Sequence, residues 1–165
     1  VPRAKECCFE LNSTSKSLNM PGWRIGMLAG NPELISYVLK AKSNVDSGMF
    51  KPMQMAAAKA LEADKDWYDG INSVYRARRK YAEAILDYIG CTYDKSQVGL
   101  FMWGKIPASY KSCEEVADKI LYDCRVFVTP GFIFGSNGDR YIRISLCSTE
   151  EKLSEALQRI KENLK

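Results

Sequence analysis

The sequence of 165 residues contains no histidine. That absence removes every Ser-His and Cys-His nucleophile pair from within the chain, and with them most metal sites. The six cysteines, at 7, 8, 91, 113, 124 and 147, form no Cys-x-x-Cys pair and no zinc-like spacing. They read as reduced core and surface residues of a cytosolic protein. No apolar run approaches the length of a membrane span, and Val1-Pro2-Arg3-Ala4-Lys5 lacks the apolar centre of a signal peptide. Internal repeats and low-complexity tracts are missing too. So is an initiating methionine, as expected of a piece from the middle of a longer polypeptide.

What is present is the balance of a soluble globular protein, 46% hydrophobic and 27% charged. The net charge of +4 comes from lysines and arginines interleaved with acids, without a basic stripe. Neither nucleic acid nor a membrane is an expected partner.

Along the chain, Cys8 to Leu11 and Met27-Leu28-Ala29 read as short strands around a polar loop. Asn31-Pro32-Glu33 is a strong helix start, followed by Leu34, Ile35, Val38 and Leu39 at the spacing of a buried stripe. Residues 44–50 carry turn chemistry, so a boundary is drawn there, giving 1–45 and 46–165 as the two parts. Pro52 to Leu61 predicts a helix packed through Met and Ala. A long helix is predicted from Asp66 to about Ile89, with Ile71, Val74, Ala77, Tyr81, Ile85 and Tyr88 inward. Its cluster Arg76, Arg78, Arg79 and Lys80 reads as a solvated face paired with acids, and Gly90 as the stop. Beyond it, strands are predicted at Val98–Trp103, Val126–Val128 and Tyr141–Leu146. Helices are predicted behind capping boxes at Ser112/Glu115 and Ser148/Glu151. This part is an α+β layer with a small sheet.

The stretch Ser13 to Gly26, Ser-Thr-Ser-Lys-Ser-Leu-Asn-Met-Pro-Gly-Trp-Arg-Ile-Gly, carries the densest chemistry. A lysine acts as a covalent catalyst only when its amine is partly neutral, which requires desolvation or a neighbouring positive charge. Arg24 offers that charge, together with a forked donor for a phosphate, and Ser13 adds a hydroxyl. Gly22 and Gly26 allow tight turning or close backbone approach. The combination places Lys16 beside a phosphate anchor. At the other end, alternation in Tyr-Ile-Arg-Ile-Ser-Leu puts Tyr141, Arg143 and Ser145 on one face and Ile142, Ile144 and Leu146 on the other.

The pattern Ser-x-Ser-Lys-x-x-x-Met-x-Gly-x-Arg-x-Gly resembles the cofactor-lysine segment of the class I/II aminotransferases, pyridoxal 5'-phosphate (PLP) enzymes of fold type I. Thr129-Pro-Gly-x-x-Phe-Gly followed by Tyr-Ile-Arg-Ile-Ser resembles the small-domain end of the same family, and Ser43 to Gln54 is similar to the bacterial aspartate-, alanine- and diaminopimelate-type members. The resemblance implies an α/β fold type I chain, C-terminal part only: the end of the large PLP-binding domain in 1–45, then a connecting helix and α+β small domain in 46–165. It implies PLP held by Lys16 as a Schiff base, the phosphate held by Ser13 and Arg24, and Arg143 gripping the substrate α-carboxylate. The implied activity is amino transfer between an amino acid and a 2-oxo acid, in a cytoplasmic homodimer. Family groups that meet the pyridine nitrogen and ring oxygen have no counterpart here, so the missing N-terminal portion is an implied partner and the fragment alone is expected to be inactive. A PLP-dependent carbon-sulfur lyase of the same fold, or a non-catalytic aminotransferase-like domain of a regulator, remain alternatives.

Overall fold

The computed structural model describes residues 2–165, which divide after Lys65 into two units. In the first, helix α1 (Ala4–Cys7) leads into β1 (Phe9–Ser13), which pairs antiparallel with β2 (Gly26–Gly30). Between them lie the single-turn helix α2 (Thr14–Ser17) and a 3₁₀ turn, Pro21–Trp23. Helix α3 (Pro32–Ser43) starts where the sequence predicts: Asn31 Oδ1 accepts from Glu33 N at 2.8 Å, with Pro32 at the first position. The stripe expected to be buried is only half-buried at Leu34 and Ile35, and Val38 and Leu39 are exposed. Helix α4 (Lys51–Ala60) buries Ala57 alone, and Met55 faces outward.

The boundary lies some twenty residues beyond the expected turn at 44–50. The reason is that α4 belongs with the hairpin: a groove of about 670 Å³ is lined jointly by Ile25, Gly26 and Met27 and by Gln54, Ala57 and Leu61.

The second unit begins along α5 (Lys65–Ile89), whose first residue closes the first unit. Its buried face is Ala82, Ile85, Leu86 and Ile89, with Tyr75 and Tyr81 packed alongside; Val74 and Tyr88, expected inward, are exposed. Gly90 ends the helix at φ 83°, a left-handed conformation that costs glycine little. Three strands follow in the spatial order β3-β5-β4, all antiparallel: β3 (Phe101–Lys105), β4 (Thr129–Pro130) and β5 (Tyr141–Ser145). Alternation works as predicted, for Ile142 and Ile144 are buried while Tyr141, Arg143 and Ser145 are half-exposed on the other face.

Helices α6 (Cys113–Cys124) and α7 (Glu150–Asn163) complete the core through Val116, Ile120, Leu153 and Ile160. Ser112 Oγ caps α6 by accepting from Glu115 N at 3.2 Å, and Glu115 returns a bond from Lys111 N at 2.7 Å. The cap of α7 is Thr149, not Ser148, with its Oγ1 accepting from Lys152 N at 3.5 Å. Val126–Val128 forms no strand; Phe127 is exposed and pairing starts only at Thr129. No helix among the described residues is long and apolar enough to cross a membrane.

Candidate active site

Register brings the ends of the polar loop together, since Ser13 stands opposite Gly26 in the β1–β2 ladder. A Cβ on Gly26 would lie 3.0 Å from the Asn12 carbonyl, so this glycine allows close strand approach. Gly22 lies in the tight 3₁₀ turn Pro21–Trp23, with open space where a Cβ would stand. Ser13 leaves the strand in an extended conformation and caps α2, its Oγ accepting from Ser15 N at 3.2 Å. That leaves its own O–H proton to donate.

Thr14 fixes the orientation of everything that follows. It is fully buried, its Oγ1 donates to the Ile25 carbonyl at 3.1 Å, and its N–H donates to the same oxygen at 3.2 Å. A step of two residues along a helix turns the side chain by roughly 200°. With Thr14 inward, Lys16 must point outward, and it is exposed with no hydrogen-bond or ion-pair partner among the described residues. Arg24 sits in the left-handed region at φ 55°, which is uncommon for a residue with a Cβ and recurs at functional sites. One of its nitrogens donates to the Pro21 carbonyl at 3.3 Å, leaving the rest of the fork free. Buried Ile25 next to it anchors the turn. An amine, a hydroxyl and a guanidinium are therefore gathered at one end of one hairpin, each with unused donors.

In the second unit, Arg143 stands opposite Trp103 on β3 and Thr129 on β4, at the middle of the sheet. Its Cζ lies 4.1 Å from the ring centroid of Phe101 and 4.3 Å from that of Phe134. Its Nε is buried without an acceptor. Such a group normally has a partner, because burying it unpaired costs about 1–3 kcal/mol.

Three other arginines bond to the fold, although Arg78 shares with Arg143 a buried Nε without an acceptor. Arg140 donates to the carbonyls of Tyr110, Lys111 and Pro107 at 2.7, 3.0 and 2.8 Å, a role the sequence does not reveal. Arg78 donates to the Leu146 carbonyl at 3.1 Å, and Arg79 to those of Lys95 and Gln97 while pairing with Glu83 at 4.0 Å. The expected solvated face of α5 is thus partly a clamp on neighbouring loops. Burial pushes the Cys91 thiol up to about 12, so it stays a thiol and a core residue. Among the described residues no cluster of acids and cysteines gathers as a metal site.

The fold is that of part of a fold type I PLP enzyme. An aminotransferase from Staphylococcus aureus matches over 98% of this chain and 43% of its own, with a TM-score of 0.82 and 33% identity. Apo-BacF from Bacillus subtilis matches with a TM-score of 0.85 at 36% identity, over 98% of this chain and 41% of its own. The family model for aminotransferase class I and II matches residues 2–160, and the chain belongs to that family, whose members depend on PLP. The LL-diaminopimelate aminotransferase of Aquifex aeolicus is 42% identical over the whole chain. The enzyme of the same name from Oleidesulfovibrio alaskensis is 40% identical over 97% of it. The chain spans about two fifths of the length of these curated relatives.

Proposed function

We propose that the protein containing this chain is a PLP-dependent aminotransferase that moves an amino group from an amino acid to a 2-oxo acid. The observation that carries this reading is the unpartnered Arg143 guanidinium, with its orphaned Nε, in a chain of this family. A fixed guanidinium without a protein acceptor suits the α-carboxylate common to both substrates, which it meets through parallel N–H bonds.

The donor set at the hairpin suits the cofactor: an unpartnered amine for an aldehyde, a hydroxyl and a guanidinium for a phosphate. Bound there, PLP supplies the ring that accepts the electrons released at the substrate α-carbon. Lys16 Nζ would be the amine that holds the cofactor through its aldehyde, and it would serve as the base and acid for the substrate α-proton. Ser13 Oγ and the Arg24 fork hold the phosphate, and Thr14 holds Lys16 outward toward the site. Arg143 holds the substrate by its α-carboxylate.

Residues 2–65 are read as the end of the large cofactor-binding domain and 66–165 as the small domain. The remaining N-terminal portion would supply the groups around the pyridine ring. The assembled enzyme is read as a cytoplasmic homodimer.

The test is product analysis on the full-length protein with PLP, an amino-acid donor and a 2-oxo-acid acceptor. Amino transfer predicts one new amino acid for each donor consumed, with no free ammonia. Release of ammonia and pyruvate from a cysteine-type donor would assign a lyase instead.

A further inference from the structure

Arg143 has no acceptor among the described residues, and its nearest charged-group interactions are with two rings. The rings come from distant segments. Phe101 stands opposite Ser145 in the β3–β5 ladder, one alternation away from the Trp103–Arg143 pair and so on the same face. Phe134 ends the 3₁₀ turn Gly131–Phe134, and Trp103 stands edge-on to it with centroids 5.3 Å apart at 72°. That turn is pinned by a glycine pair. A Cβ on Gly131 would lie 2.2 Å from the Gly138 carbonyl oxygen, and one on Gly138 would lie 2.0 Å from that of Gly131. Neither position admits a side chain, so the loop bearing Phe134 is set against the strand bearing Arg143.

Resting on the substrate-binding role of Arg143 read above, we propose that Phe101 and Phe134 are positioning residues that clamp its guanidinium before substrate arrives. A cation over a ring is attracted by the ring's quadrupole, yet the ring accepts none of the in-plane N–H bonds. Rings that accept none of these bonds leave the N–H donors for the planar carboxylate. An arginine side chain held in one rotamer loses less freedom when a ligand binds. Removing a ring returns that cost to the binding step, so the effect belongs in KM and not in kcat. Phe134 is 49% exposed, so its replacement leaves the core intact.

The experiment compares Phe134→Leu, Phe101→Leu, Phe134→Tyr and Arg143→Ala in the full-length, PLP-loaded protein. Steady-state kinetics give KM and kcat for the amino donor. Calorimetry gives the Kd of butyrate, a carboxylate with no amino group to react. Each leucine variant is expected to raise KM and the butyrate Kd by roughly three- to fivefold, in line with a cation–π contact at a partly exposed site, with kcat held within about twofold. Phe134→Tyr restores both constants. Leucine variants that bind butyrate as the parent does, while Arg143→Ala weakens it, overturn the clamp and leave the carboxylate role standing. Unchanged butyrate binding and donor KM in Arg143→Ala overturn that role itself. A leucine variant that loses kcat at constant KM also overturns the clamp.

Discussion

Residues 66–165 enclose a continuous apolar core running from Ala82 to Ile160 through three helices and the sheet. Residues 2–65 bury only Thr14, Leu18, Ile25 and Ala57, and leave Leu11, Leu39, Val45 and Phe50 more than half exposed. Both regions have well-formed hairpins and capped helices, so local signals do not separate them. The difference is in apolar burial, which supplies the main favourable term in folding. Within this chain the lysine-bearing region takes its local geometry from a few short-range bonds, while the arginine-bearing region is fixed by its own core; residues 2–65, read as the end of a larger domain, leave an apolar surface for the remainder of that domain to cover.

The largest expected effect comes from separating the regions. Residues 66–165 expressed alone should melt in one cooperative transition followed by circular dichroism, and residues 1–65 alone should give none. A cooperative melt from the shorter piece would break the comparison. Within the second unit, Ile142→Ala empties a fully buried position of the central strand and should cost about 2–5 kcal/mol in denaturant unfolding. A loss below about 1 kcal/mol would mean that the core is not the support described. In the first unit, Thr14→Val keeps the shape but removes the hydroxyl bond to Ile25, for an expected loss of roughly 0.5–1.5 kcal/mol in the full-length protein.

The smallest effect is electrostatic. A hydrogen bond from Lys42, helped by one from Gly48 N, holds the exposed Asp46 carboxyl below its ordinary value. A depressed folded value means that its contribution is present above the unfolded carboxylate range and is lost as pH falls through the folded one. Lys42→Met should therefore move the Asp46 midpoint upward in an NMR titration. An unmoved midpoint would remove the pair from the account.

Much of this organisation is legible in the chain. Alternation gives β5 and the face of Arg143, Asn31-Pro32-Glu33 gives the start of α3, and close spacing gathers Ser13, Lys16 and Arg24 at one hairpin end. What escapes is whatever depends on distant partners. The carbonyl triad that occupies Arg140 lies some thirty residues upstream, and the rings on Arg143 arrive from Phe101 and Phe134. Val126–Val128 has strand composition, yet the ladder with β5 starts only at Thr129, so propensity yields to context. Thr14 is the instructive miss. It reads as one more polar loop residue, and only the Ile25 carbonyl across the loop makes it the buried pivot that turns Lys16 outward.

The central claim is that Lys16 is the amine that meets the cofactor. Borohydride reduction of the PLP-loaded, full-length protein, followed by peptide mass mapping, tests it directly. A phosphopyridoxyl group is expected on Lys16 and on no other lysine of the chain. A label carried by any other lysine, with Lys16 unmodified, would contradict it.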